Sequence, residues 1–131
     1  MKEEIYKIDM LCKHFKGKTL LEKNIYKIIA LHVNGKDVDQ SKITYSGDRD
    51  LQSATNLVIY ANIFQDNRLF AREYEDISSE LSIEKKNEFN QDIRVQPLNF
   101  EEIKLVSTHE FREEKIKYTQ DKFKKDIQKE R

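Results

Sequence analysis

Residues 25–33 read IYKIIALHV and residues 57–64 read LVIYANIF, so both stretches are rich in β-branched and aromatic side chains. In each stretch, apolar residues occupy both faces of an extended chain. This pattern is typical of a strand that is covered on both sides. The two stretches therefore predict the central strands of a tightly curled, barrel-like sheet.

Shorter strands are predicted on either side of these two. Residues 65–68 (QDNR) predict a turn, and residues 69–74 (LFAREY) predict the strand that returns from it. Earlier in the chain, HFKGK at residues 14–18 predicts a short strand that enters a turn at Gly17. We expect this β domain to span residues 1–77.

A long polar segment separates the two strong strands. Residues 34–56 contain Gly35 and Gly47 and carry only a weak strand signal, at residues 43–45. A loop of this length in a small domain is usually functional or mobile. We expect residues 34–56 to form an insertion loop.

The pattern changes after residue 77, and residues 78–131 are expected to be a helical extension. Sequences that cap helix N-termini occur at three places: Ser82, Asn99 with Glu102, and Ser107 with Glu110. Neither glycine nor proline follows Pro97, which favours a long terminal helix. The whole chain is thus predicted to be α+β, with a mainly β N-terminal domain followed by helices.

The composition restricts the classes of function. Hydrophobic and charged residues each make up 37% of the 131 residues, and 24 basic residues balance 24 acidic ones. A dedicated duplex-DNA binder usually has a basic excess, so the main domain is not expected to be one. No secretory signal or membrane-spanning run is visible and there is one cysteine. We therefore expect a cytoplasmic protein with no membrane partner.

The sequence gives no positive reason to propose an enzyme. Glycine-rich phosphate loops, nucleophile elbows and paired-carboxylate signatures are absent from it. Cys12 and His14 lie two residues apart but lack a third, orienting group. The three histidines do not have metal-ligand spacing. We predict no catalytic residue, no metal and no cofactor.

Cations and aromatic residues occur together in the first and last strands of the predicted sheet. The predicted ligand-binding residues are His14, Lys16, Lys18, Tyr60, Arg72 and Tyr74. If the barrel closes, its first and last strands meet, and these side chains could line a groove for an anionic, aromatic ligand such as a nucleotide. The alternative is that the lysines protect a strand edge from aggregation.

A thin apolar stripe runs along the predicted terminal helix. Ile116, Phe123 and Ile127 form this stripe and are the predicted partner-binding residues. Such a stripe is typical of a helix that docks into a groove. Dimerisation or adaptor binding through this helix is therefore an alternative function.

The same strand segments resemble a known family. KHFKGK at residues 13–18, IYKIIALHV at 25–33, LVIY at 57–60 and the segment 69–77 resemble the bacterial and phage family catalogued as domain of unknown function 1653. The resemblance covers about residues 11–77 and implies a small SH3-like β-barrel. Phe70 and Glu73 stand where the family usually has tryptophan and proline.

The resemblance brings no established activity, but it implies an accessory role in a phage or mobile element. Our first hypothesis is a non-enzymatic binding module that engages a host protein or sequesters an anionic, nucleotide-like ligand. An adaptor or homo-oligomer formed through the C-terminal helix is the second hypothesis. A small nucleic-acid-binding barrel is the third, because residues 115–131 are locally basic.

Overall fold

The computed structural model of the chain describes residues 4–45 and 50–129, without the side chains of residues 45 and 125–129. The strands are β1 (Leu11–His14), β2 (Ile25–Val33), β3 (Ile43–Tyr45), β4 (Leu57–Asn62), β5 (Arg68–Glu73) and β6 (Val95–Pro97). The helices are α1 (Tyr74–Ile77), α2 (Ile83–Phe89), α3 (Phe100–Val106) and α4 (His109–Lys129). The predicted α+β class is confirmed.

One mixed sheet holds all six strands, in the order β3-β5-β4-β2-β1-β6. All neighbouring strands are antiparallel except β3 and β5, which are parallel. The sheet is open, with β3 and β6 at its edges, so a closed SH3-like barrel is not confirmed. The predicted meeting of the first and last barrel strands is wrong, because β6 occupies the free edge of β1.

The centre of the sheet is apolar on both faces, as predicted. All six residues of β4 are buried. Val58 and Tyr60 belong to one core cluster, and Leu57 and Ile59 belong to another on the opposite face. Two-sided burial explains why β4 reads as a nearly continuous apolar run rather than as strict alternation. In β2 the burial is less complete, since Ile29 is 41% exposed.

Strand β6 was not expected, because residues 78–131 were predicted to be helical. Val95 is 1% exposed within the core, and its carbonyl oxygen accepts a hydrogen bond from the Tyr6 hydroxyl at 2.6 Å. The same hydroxyl lies 2.9 Å from the carbonyl oxygen of Ile77. A division of the chain at residue 77 therefore cuts through one sheet and one core.

The described parts of the insertion, residues 34–45 and 50–56, are more ordered than a polar loop suggests. They contain three single-turn 3-10 helices, and each begins after a residue whose side chain accepts a backbone N–H two residues on: Asn34, Asp39 and Asp50. The predicted weak strand is β3, which pairs with β5. Gly35 packs so closely under Leu51 that a Cβ atom would lie 1.6 Å from the Leu51 carbonyl oxygen.

The predicted N-terminal caps of α2 and α3 are confirmed, and the cap of α4 lies one residue later than predicted. Ser82 caps α2, and Asn99 forms the predicted capping box with Glu102. The third predicted cap, Ser107, is displaced by one residue, because the Thr108 hydroxyl oxygen accepts from the Phe111 N–H. In residues 4–45 and 50–129, no helix is both long and apolar enough to cross a membrane.

Candidate functional site

A cleft of about 460 Å³ lies between the β1–β2 loop and helix α4, and we call it the basic cleft. Its volume lies within the range of small-molecule sites. Its walls are formed by His14, Lys16, Gly17, Glu22, Asn24, Tyr26, Gln65, Lys115, Tyr118, Thr119 and Lys122. Residues from the start, middle and end of the chain thus meet in one concave surface.

Two lysines hold the loop that forms one wall of this cleft. Lys23 donates to the carbonyl oxygens of Phe15 at 2.8 Å and of Phe89 at 3.0 Å, which ties the loop to the C-terminal end of α2. Lys115 of α4 donates to the carbonyl oxygens of Leu21 and Lys23. Burial lowers the pKa of each lysine to about 8. The loop and α4 are therefore fixed to each other by hydrogen bonds.

His14 reaches the cleft as a neutral imidazole. Burial, followed by the charges of Arg94, Lys16, Arg72 and Lys23, lowers its pKa to about 4. Its Nδ1 lies 3.3 Å from the backbone nitrogen of Lys16 and accepts that N–H. In a neutral ring whose Nδ1 is an acceptor, Nε2 carries the proton. His14 is thus a hydrogen-bond donor in a positively charged neighbourhood.

The charge of the cleft walls is basic. Lys16, Lys115 and Lys122 face one carboxylate, that of Glu22, whose Oε1 accepts from the Thr19 hydroxyl at 3.1 Å. Among the described residues, the ammonium groups of Lys16 and Lys122 have no carboxylate partner within ion-pair distance. Two cations and a neutral N–H donor are therefore available to an anion.

The structure brings together two of the six predicted ligand-binding residues, His14 and Lys16. Lys18 is exposed on the same loop but does not line the cleft. Arg72 lies close enough for its charge to act on His14, yet it is also outside the lining. Because the barrel is open, the groove that was expected to unite all six is not formed.

The other two predicted residues are structural. Tyr60 is 3% exposed in the core and stacks on Phe70, with ring centroids 5.6 Å apart. The Tyr74 hydroxyl accepts from the Ile5 N–H at 2.9 Å, and its ring packs against Tyr6. Neither side chain reaches the basic cleft. Tyr60 lies on β4, whereas Tyr74 begins α1 instead of ending the strand predicted over residues 69–74.

Sequence reasoning missed the contribution of α4 to this site. Lys115, Tyr118 and Lys122 follow helical spacing (i, i+3 and i+7), so they share one face of the helix. That spacing was a readable signal. It did not point to this site, because the terminal helix stood out in the sequence only by its apolar stripe and its local basic charge. Tyr26 was read as a strand residue, and it is buried at the base of the cleft.

The predicted partner-binding stripe lies on another flank of α4. Ile116 and Phe123 are 43% and 65% exposed and line a second cleft of about 730 Å³, which we call the aromatic cleft. The side chain of Ile127, the third predicted residue, lies outside the described part of the chain. Exposure of two large apolar side chains on one helix flank is the feature expected of a binding surface.

Cys12 is not a reactive thiol in this structure. It is fully buried in the core, and burial raises the pKa of the thiol to about 12. A thiol must be ionised to act as a nucleophile, so Cys12 packs as a small apolar side chain. Within residues 4–45 and 50–129, no group of three or more His, Cys, Asp or Glu side chains is placed to hold a metal ion.

Any conclusion about function rests on the geometry of the cleft, because no known protein is similar enough to suggest one. Comparison with protein-family models, with curated proteins and with solved structures finds no match to this chain. The resemblance to domain of unknown function 1653 stays a prediction from the residues quoted above.

Proposed function

We propose that this protein is a non-enzymatic binding module that holds a small phosphate-bearing anion in the basic cleft. The observation that carries the proposal is the presence, in one concavity, of a neutral His14 donor and of the Lys16 and Lys122 ammonium groups, which have no carboxylate partner in the part of the chain that the structure describes. Lysine side chains bind phosphate as point charges, and a neutral imidazole N–H adds a directed hydrogen bond.

The position of the cleft supports this function further. Lys115 and Lys23 fix both walls through backbone carbonyl oxygens, so the loop and the helix that carry the anion-binding side chains are positioned before a ligand arrives. A site formed in advance loses less conformational entropy on binding. A cytoplasmic location is part of the proposal, and the free thiol of Cys12 is compatible with a reducing compartment.

Calorimetry with inorganic pyrophosphate tests the proposal. In Lys16→Gln, affinity should fall by about tenfold or more, because one charge-assisted contact is lost. Lys18→Gln is the matched control, since it removes the same charge from the same loop outside the cleft. Its effect should stay below about twofold. Equal losses in both variants, or no binding to the unsubstituted protein, would overturn the proposal.

A second candidate function is self-association through α4 with a second copy of this chain. Ile116 and Phe123, which are 43% and 65% exposed on one flank of the helix, are the observation that favours it. An antiparallel pair of helices would bury these two side chains against those of a second copy. Sedimentation velocity tests this, and a monomer at micromolar concentration would reject it.

A further inference from the structure

The basic cleft and the aromatic cleft adjoin each other. The aromatic cleft is lined by Phe64, Gln65, Asp66, Arg68, Ile116, Thr119, Gln120, Phe123 and Lys124. Gln65 and Thr119 line both clefts, so the two concavities meet at this pair. The two sites predicted from separate parts of the sequence are therefore one continuous surface.

Helix α4 supplies neighbouring residues to the two clefts. Lys115 and Lys122 line the basic cleft, while Ile116 and Phe123, each the next residue along, line the aromatic cleft. Consecutive helix residues rise by about 1.5 Å, and a helix with its side chains is about 10–12 Å across. Because the clefts also share Gln65 and Thr119, a single small molecule can contact both.

The wall opposite α4 is built to keep its shape. Phe64 packs its ring 5.9 Å from that of the buried Phe111. Its backbone N–H donates to the Asn62 side-chain oxygen at 3.1 Å. Asp66 and Asn67 both adopt positive φ, which closes the β4–β5 turn tightly. The aromatic cleft therefore has one fixed wall and one exposed ring, that of Phe123.

The chemistry of the aromatic cleft suits a planar heterocycle better than an alkyl chain. Phe64 and Phe123 contribute aromatic rings to its lining, and Gln65 and Gln120 contribute amides that donate and accept hydrogen bonds. A saturated chain would cover these amides without satisfying their hydrogen bonds, which costs free energy. A nucleobase presents both a π-face and hydrogen-bonding edges.

We infer that the ligand is a nucleoside phosphate, with its phosphates in the basic cleft and its base in the aromatic cleft. The inference rests on the proposed function, because the basic cleft must first bind an anion. It adds the second half of the ligand and assigns Phe123 as the residue that stacks on the base.

Calorimetry on the full chain with graded probes tests each half separately. Pyrophosphate, ribose 5-phosphate, ADP, GDP, UDP and octyl phosphate are compared at one salt concentration. At least one nucleoside diphosphate should bind about tenfold more tightly than pyrophosphate or ribose 5-phosphate, because base stacking adds to the phosphate contacts. Phe123→Ala should remove that gain and leave pyrophosphate binding unchanged.

Phe100→Ala is the matched control, because Phe100 is a similarly exposed phenylalanine, 69% against 65%, on α3 and outside both clefts. Its nucleotide affinity should match that of the unsubstituted protein. If pyrophosphate binds but no nucleoside diphosphate binds more tightly, this inference is overturned, while the proposed anion-binding function stands.

Two other outcomes also overturn the inference. If octyl phosphate gains as much affinity as the nucleotides, the second cleft binds apolar chains rather than bases. If sedimentation shows a dimer that Phe123→Ala dissociates, a second copy of the chain occupies that cleft. Failure of every probe, pyrophosphate included, would reject the proposed function itself.

Discussion

His14 shows how its surroundings determine the chemistry of one residue in the basic cleft. Burial and nearby cations lower its pKa to about 4, against 6.5 for an unperturbed histidine. Between these values the unfolded chain takes up a proton that the folded chain does not. Stability therefore rises with pH across this window and falls as the pH drops through it.

The first prediction concerns His14→Asn, which keeps an acceptor for the Lys16 N–H but cannot titrate. The free energy of unfolding should depend less on pH in this variant than in the unsubstituted protein between about pH 4 and pH 6.5. Urea unfolding at four pH values measures this dependence. The carboxylates titrate in both proteins, so their contribution cancels when the free energies of unfolding are subtracted. Parallel curves would show that His14 is protonated in the fold.

The pKa of His32 is shifted in the opposite direction to that of His14. It adopts positive φ, and its Nδ1 and Nε2 each lie 2.8 Å from an oxygen, of Asn56 and Glu4 respectively. These hydrogen bonds, that with Asn56 first, raise its pKa. The protonated ring, which donates from both nitrogens, ties the N-terminal segment to the end of β2.

The second prediction follows from that raised pKa. The stabilising effect of His32 should be fully present below pH 6.5 and lost as the pH rises through the higher, folded-state pKa. His32→Gln should therefore destabilise the protein more at pH 5.5 than at pH 9. Thermal unfolding at both values is the measurement, and an equal loss at both would contradict the assignment.

At the level of elements, the insertion 34–56 is held by a close backbone contact. Gly35 N–H donates to the Ala54 carbonyl oxygen at 2.9 Å, and the absence of a Cβ lets Leu51 approach. Leu51 and Ala54 are buried in a core cluster with Leu57. The first and third 3-10 turns thus contact each other, and the third packs against the sheet.

The third prediction tests this contact. Gly35→Ala should lower the free energy of unfolding by at least about 2 kcal/mol, because the new methyl group overlaps backbone that must move. Lys36→Ala changes an exposed neighbour and should lie within about 0.5 kcal/mol of the unsubstituted protein. Chemical denaturation measures both, and similar small effects would show that the turns are free to shift.

Helix α4 depends on its first half for docking. Phe111 and Lys115 are the buried side chains among its residues 109–124, at 5% and 4% exposure. Lys115 satisfies two loop carbonyl oxygens, so its removal would leave both without a donor. The helix is therefore attached to the loop that forms the opposite wall of the basic cleft.

The fourth prediction is that Lys115→Met undocks α4. The free energy of unfolding should fall by about 2 kcal/mol or more, because buried carbonyl groups lose their hydrogen bonds. Hydrogen exchange should become faster in residues 19–23 and 109–118. Lys117→Met, at an exposed position of the same helix, should leave both measurements unchanged. Unaltered exchange in Lys115→Met would contradict the docking role.

For the whole molecule, β6 joins the two parts of the chain. It pairs with β1 and places Val95 in the core beside Tyr6 and Cys12. The first 77 residues lack this strand, so β1 would become an uncovered edge. The sheet is thus completed only after the chain has passed residue 97.

The fifth prediction follows from this topology. A chain ending at Ile77 should fail to fold, because it loses β6 and the Val95 acceptor of the Tyr6 hydroxyl. A chain ending at Tyr118 keeps every core cluster and should fold. Circular dichroism and amide NMR dispersion distinguish them. A cooperative unfolding transition in the shorter chain would show that residues 1–77 fold independently.

Local and periodic features of this protein could be predicted from its sequence. The apolar runs of β2 and β4, the Ser82 cap and the Asn99–Glu102 capping box all depend on residues close together in the chain, and all are confirmed. His14 and Lys16 were found because they are neighbours in sequence.

Features that depend on contacts between distant residues could be seen only in the folded protein. The β1–β6 pairing joins residues about 80 positions apart, and the basic cleft brings Lys16 close to Lys122, about 105 positions away. The neutral state of His14 depends on its burial. Strand propensity predicts that a segment is extended but does not choose its partner. Burial and neighbouring charges, which set a pKa, exist only after packing.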